Sequence, residues 1–394
     1  MAFQPASGAK DLNPKQVERN HMLSKKLSEV YRLWGYEEVS PPRVERLGTL
    51  MAGGAIESED IVKLVADDPL GLRPEMTASI ARAACTRLAE CPRPLRLSAT
   101  GTVFENRESI EGGLCIEENL QCGVELFGVG GISGEMELLS LLLDSMDKLE
   151  LNQSHHPTLL IGHTSIMELV LTDIKKENRD EVRNALVDFD RLKLEEQELN
   201  EDLKAKLLTI QDCRGYPSQV LKALETNLGK SKILENLNRL FAMIEPIAKR
   251  HGIELQLDPT FQPHFELYTG IIFQLICKGN SAPVVIASGG RYDELVKHFG
   301  AKGDNATGLG FSFAIDKIRE LLIGYKANGD EVDKIIIAYS KKNILEEALK
   351  RQRYWHKQHK VASVELEPFE NKEAALVVSK LRGCTKLEWI DDLE

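Results

Sequence analysis

No stretch of this 394-residue chain approaches the ~18 consecutive apolar residues of a membrane-spanning helix, and no membrane span is expected. The start, Met1 to Lys10, lacks a charged segment leading into an apolar run, and no secretory leader is expected. Cations are in deficit: 50 Lys and Arg against 61 Asp and Glu give a formal charge of −11, which argues against a general nucleic-acid binder. The seven cysteines (85, 91, 115, 122, 213, 277 and 384) are odd in number and form no C-x-x-C pair. Free thiols in a reducing cytoplasm fit this better than a disulfide framework or a zinc site. His155, His156 and His163 lack metal-ligand spacing, and neither a metal nor a cofactor is expected. Internal repeats and low-complexity segments are also missing.

What is present is enough sequence for two or three domains with a sizeable core. Asn13-Pro14 is a helix start, a capping side chain followed by proline in the first turn. Leu23, Leu27, Val30, Tyr31 and Trp34 then recur at helical spacing until Gly35. Residues 36–42 read as a strand ending at proline, 75–84 as a helix, and 95–104 and 120–127 as an antiparallel pair joined by a long loop. A strongly apolar helix follows at 135–149 and a short strand at 158–161. From about 164 to 252 the pattern turns charged, amphipathic and helical, which reads as an insertion. Strands resume at 253–258, 268–277, 283–288 and 307–313. A linker at 325–330 precedes a β-α-β-α-β tail over 331–394.

Period-two alternation puts Gln121, Gly123 and Glu125 on one face of a strand and Cys122, Val124 and Leu126 on the other. An amide and a carboxylate flanking a glycine leave room for a small polar ligand against the backbone, although an exposed antiparallel face is often polar in any case. Glu75 and Thr77 stand at a helix head, where an acid is favourable by about 0.3–1 kcal/mol without any ligand. Gly128-Val-Gly-Gly-Ile-Ser-Gly134 misses the dinucleotide-loop spacing and reads as a turn. Lys341, Lys342, Lys350, Arg351, Arg353, Lys357 and Lys360 crowd one tail helix and read as a solvated face.

Four segments, Leu72-Arg-Pro-Glu-Met-Thr77, Gln121-Cys-Gly-Val-Glu125, Tyr268-Thr-Gly270 and Gly289-Gly-Arg-Tyr-Asp293, resemble histidyl-tRNA synthetase. The resemblance covers most of residues 1–325. It implies an α+β fold of class II synthetase type, an antiparallel sheet with flanking helices, carrying the helical insertion and a small C-terminal α/β unit. It also implies that residues 36–42 belong to a dimer interface. By the same resemblance Glu75, Thr77 and Gln121 surround a ligand's ammonium group, Glu125 and Tyr268 meet the imidazole nitrogens, and Tyr292 forms an aromatic wall or fills the core. Arg291 is expected to hold its loop.

The stretches that handle ATP in that family depart from its pattern. Where the family has Phe-Arg-x-Glu, this chain has Phe104-Glu105-Asn106-Arg107. A charge pair at ~4 Å and an effective dielectric near 20 is worth roughly 4 kcal/mol, so exchanging attraction for repulsion opposes attack at a phosphate. Arg107 shares a strand face with Glu105 and either compensates or pairs with it. Pro263 stands where the family's Arg-Gly-Leu-Asp-Tyr-Tyr begins, and Lys317 replaces an arginine, keeping charge but losing the planar fork. An intact amino-acid pocket with dismantled activation resembles the regulatory subunits of ATP phosphoribosyltransferase. That implies a non-catalytic dimer, partnered in a hetero-octamer by a short-form catalytic subunit and carrying histidine feedback. A divergent histidyl-tRNA synthetase, or a synthetase-like ligase or tRNA-binding sensor, is the alternative. The short tail does not match an anticodon-binding domain, which weighs against tRNA.

Overall fold

The computed structural model describes residues 5–108, 112–151, 153–264, 266–323 and 334–391. The chain divides into two compact units, Met1–Gly324 and Tyr325–Glu394. The linker read at 325–330 lies outside the described residues. Thirteen strands occur among those described: β1 Glu37–Glu38, β2 Val44–Arg46, β3 Leu70–Leu72, β4 Leu95–Glu108, β5 Leu114–Phe127, β6 Thr158–His163, β7 Glu254–Leu257, β8 Ile271–Lys278, β9 Pro283–Arg291, β10 Gly308–Ala314, β11 Lys334–Tyr339, β12 Val361–Val364 and β13 Lys386–Ile390.

Eight strands of the first unit form one sheet, in the order β1-β4-β5-β10-β9-β8-β6-β7. Only the pairs at its two ends, β1 with β4 and β6 with β7, are parallel. Alternation along each strand decides what lies on either side. Cys122, Val124 and Leu126 of β5, Phe273 and Leu275 of β8, and Phe311 and Phe313 of β10 enter one large core. Covering that face are the helices Pro14–Leu33 and Ile132–Met146 and the insertion, whose six helices run from Thr164–Val170 to Lys232–Arg250. The other face carries the helices Thr77–Cys85 and Asp293–His298 over Leu97, Ala99, Phe127 and Tyr292. It leaves the centre of the sheet open.

The helix Pro14–Leu33 begins with a full capping box. Gln16 N donates to Asn13 Oδ1 at 3.0 Å, and Asn13 N donates to Gln16 Oε1 at 2.9 Å. Asn20 on this helix accepts from Arg319 at 2.8 Å, and Asp316 accepts from Leu120 N at 2.6 Å, tying the helix Ile315–Leu321 to β5.

Two expectations need correction. The strand read at 36–42 shrinks to Glu37–Glu38, because Pro41 and Pro42 offer no N–H to a ladder. The long loop between 104 and 120 is mostly strand: β4 and β5 run fourteen residues each, paired from Leu95↔Phe127 to Glu108↔Leu114. Charged residues obscure the apolar alternation there, and they are held by ion pairs instead. Arg107 bridges Glu105 at 3.1 Å and Glu117 on the partner strand at 2.9 Å.

The second unit is a three-stranded parallel sheet, β12-β11-β13, with helices Leu345–Lys357 and Lys372–Leu381. Ile335, Ile337 and Tyr339 pack with Ile344 and Ala348. Among the described residues no helix is long and apolar enough to cross a membrane, and no His/Cys/Asp/Glu group is arranged to hold a metal ion.

Candidate functional site

The open centre of the sheet is a cavity of about 650 Å³. Arg73 fixes one rim. Its buried guanidinium donates to Pro41 O at 2.7 Å and Thr102 O at 3.1 Å, filling the space that a Cβ on Gly101 would take. Arg73 thereby sets the entry of the helix Thr77–Cys85. Glu75 caps that helix, accepting from Thr77 N and, at 2.9 Å, from Ala78 N. Burial raises the Glu75 carboxyl from its ordinary range, against the pull of these N–H donors and of Arg73.

Glu125 is 5% exposed, and both its oxygens are taken. Thr77 Oγ1 donates to Oε1 at 2.7 Å, and the Tyr292 hydroxyl donates to Oε2. Burial pushes the Glu125 carboxyl up to about 8, opposed by these two hydroxyls and reinforced by Glu75. The Tyr292 and Tyr268 hydroxyls are also raised, first by burial and then by Glu125. Among the described residues no Lys, Arg or His forms an ion pair with Glu75 or Glu125. Two acids thus stand together at this end of the cavity with no cation paired to either among the described residues, which suits a ligand that brings positive charge and ring or ammonium N–H donors.

Glycines make the floor. A Cβ on Gly310 would lie 1.7 Å from Glu125 Oε2, and one on Gly290 would lie 2.6 Å from the Tyr268 ring. Gly310 pairs with both Glu125 and Gly290, so the carboxylate and the ring lie side by side along one glycine trough.

Five of the expected residues, Glu75, Thr77, Gln121, Tyr268 and Tyr292, line the cavity, and Glu125 lies just behind them over Gly310. Tyr292 is therefore neither only a wall nor only filler, since its hydroxyl engages Glu125. Gly123 does not open a ligand space. A Cβ there would meet Phe311 O at 2.4 Å, so this glycine serves the approach of β5 to β10. Arg291, at the end of β9, holds the 129–131 turn and the helix after it: it donates to Glu135 at 3.1 Å, Val129 O at 3.1 Å and Gly131 O at 2.9 Å.

The far end of the cavity is walled by Glu105, Arg107 and Lys317. Arg107 is committed to its two carboxylates, and exposed Lys317 has no ion pair among the described residues. Pro263 does not reach the cavity; His264, with φ 52°, lines it instead. Two features escaped the sequence reading. Asn106 anchors the wall segment 59–61 by donating to Glu59 O and Ile61 O at 3.1 and 3.0 Å. Gln274, Ser288 and Ser312 also face the cavity, and carrying the period-two argument from β5 to its neighbours would have found them.

The fold and the cavity define a class II synthetase-like core, and residues 8–318 match the family model described as Histidyl-tRNA synthetase. Among solved structures the chain is similar to an ATP phosphoribosyltransferase regulatory subunit/histidyl-tRNA synthetase from Bacillus halodurans, with TM-score 0.83 and 23% identity over 100% of both chains. It is also similar to histidyl-tRNA synthetase from Nostoc sp. PCC 7120, with TM-score 0.78 and 17% identity over 97% of this chain and 90% of that one. These two likenesses establish the fold. The family follows from closer relatives. The ATP phosphoribosyltransferase regulatory subunit of Prochlorococcus marinus (strain MIT 9313) is 59% identical over 99% of this chain and 100% of its own length. That of Synechococcus sp. (strain CC9902) is 56% identical over the same shares. The chain belongs to the family of ATP phosphoribosyltransferase regulatory subunits.

Proposed function

We propose that this chain binds free L-histidine in the cavity, stimulates a short-form catalytic ATP phosphoribosyltransferase and makes it sensitive to histidine. The observation that carries this reading is the contrast between the two ends of one cavity. The amino-acid end keeps Glu75, Thr77, Gln121, Tyr268 and Tyr292 on its walls with Glu125 behind them. The phosphate end offers Glu105, an arginine already neutralised by Glu105 and Glu117, and the exposed amine of Lys317 in place of an arginine fork. In this reading Glu75 and Gln121 receive the ammonium group. Tyr268 and Glu125 receive the imidazole, the Thr77 and Tyr292 hydroxyls turning to make way. Ligands without ring nitrogens are rejected because they leave these buried polar groups unpaired.

Lys317 alone keeps an unpaired charge there among the described residues, and a point charge on a flexible stem does not supply the planar, fixed fork that displacement at a phosphate uses, so in this reading the chain does not activate histidine. Pyrophosphate exchange with ATP and histidine should not rise above a no-protein control. Exchange that is abolished by Glu75→Ala would establish the rival reading, a divergent synthetase. The names of the relatives support a catalytic partner, and we place the pair in the cytoplasm as a hetero-octamer built on dimers of this chain.

Feedback requires histidine to bind the inhibited assembly more tightly than the active one. Partner turnover measured against histidine concentration, at saturating stoichiometry, is the test. Adding this chain should raise turnover, and histidine should lower it. Gln121→Ala should keep the stimulation and shift the inhibition to at least tenfold higher histidine. A variant complex as sensitive as wild type would remove this cavity from the regulation.

A further inference from the structure

An amino acid has a carboxylate, and none of the residues assigned above receives it. Of the two arginine and lysine groups on the cavity wall, Arg107 is held by Glu105 and Glu117, and Lys317 stands at the far end. Across the middle of the sheet, however, Ser312 of β10 pairs with Ser288 of β9, which pairs with Gln274 of β8. Paired residues in antiparallel strands project to the same side, so the two hydroxyls and the amide form a single row. All three line the cavity, and none of their side chains makes a hydrogen bond among the described residues. On β10, Ser312 lies two residues from Gly310, the position beneath Glu125. Two residues of antiparallel strand advance about 6.8 Å, which is close to the reach from the imidazole of histidine to its carboxylate.

We infer that Gln274, Ser288 and Ser312 form the seat of the ligand's α-carboxylate. The inference rests on the histidine reading and extends it to the one group that reading left unassigned. Two serine hydroxyls and a glutamine N–H₂ supply donors that become charge-assisted bonds once a carboxylate accepts them. Ser312 stands two positions along β10 from Gly310, which keeps the incoming negative charge off the Glu125 carboxyl. Neutral donors here replace a cation, and the ligand's own ammonium group answers the acids of the site.

Histamine is histidine without the carboxylate, and comparing the two isolates this contact. Calorimetry on the full-length protein should show wild type binding histidine more tightly than histamine. The triple variant Gln274→Ala/Ser288→Ala/Ser312→Ala should weaken histidine at least tenfold and leave histamine within about twofold, abolishing the preference. The single variants should each remove part of it. Retained histidine preference in the triple variant overturns the inference, as does loss of that preference in Lys317→Ala alone. Equal loss of both ligands in every variant also overturns it, because the row then only supports the pocket. Wild type binding neither ligand removes the histidine reading itself.

Discussion

Glu125→Gln should make the ligand-free protein more stable above about pH 5 and weaken its hold on histidine. The two effects share one cause. The buried Glu125 carboxyl is raised to about 8, so the folded chain keeps a proton that an unfolded chain releases near pH 4.3. Between those values the unfolded state binds fewer protons than the folded one, and stability falls as pH rises. The fall is on the order of 5 kcal/mol by pH 8, since a tenfold change in proton affinity is about 1.4 kcal/mol. Glutamine carries no such penalty, and the Thr77 and Tyr292 hydroxyls can donate to one end of the amide and accept from the other. Urea unfolding at pH 5, 7 and 9 should therefore show the variant's advantage growing with pH. Parallel curves for both proteins would mean that the carboxyl ionises normally. Bound histidine can take up the Glu125 proton on its imidazole and leave an imidazolium–carboxylate pair that the amide cannot form, so calorimetry at pH 7 should show binding weakened by roughly 1–3 kcal/mol, the range for a charge-assisted hydrogen bond.

Arg291→Met should lower stability by about 3–5 kcal/mol, the usual result of removing one partner from a buried ion pair. The guanidinium is buried, and the substitution leaves Glu135 with two carbonyls, Val129 O and Gly131 O, without their donor. Burial already raises the Glu135 carboxyl and Arg291 draws it back, so in the variant Glu135 should hold its proton to higher pH. Adding Glu135→Leu should recover much of the loss, because two apolar neighbours cost less than one orphaned charge. Equilibrium denaturation of the single and double variants measures both. A loss below about 1 kcal/mol in Arg291→Met would show that solvent reaches Glu135 readily.

The elements most legible in the sequence were those whose periodicity reports directly on burial. The stripe Leu23, Leu27, Val30, Tyr31 gave the first helix with its Asn13 cap, and the alternation of Cys122, Val124 and Leu126 gave the core face of β5. The distal halves of β4 and β5 were hidden because Glu105, Arg107 and Glu117 satisfy one another across strands, an arrangement that alternation of apolar residues does not encode. At the site, residue types and the resemblance picked out the cavity residues, but hydrogen-bond partners were beyond reach. Tyr292 and Glu125 are separated by 167 positions, and only strand register brings them together. Gln274, Ser288 and Ser312 escaped for the same reason, each unremarkable alone and meaningful only as a row.

The glycine trough limits how this pocket can diverge. One added methyl group at Gly310 would overlap a Glu125 oxygen and lie 2.5 Å from Val124 O, a main-chain atom that cannot swing aside like a side chain. The floor is thus a mould cast in backbone, with no graded substitution between open and blocked. Variation in affinity has to enter through the walls, at the helix Thr77–Cys85 and at the segments carrying Tyr268 and Asn106, where side chains can be exchanged one at a time. A cavity of this construction can lose its chemistry by replacements at one end and still keep the shape of what it recognises at the other.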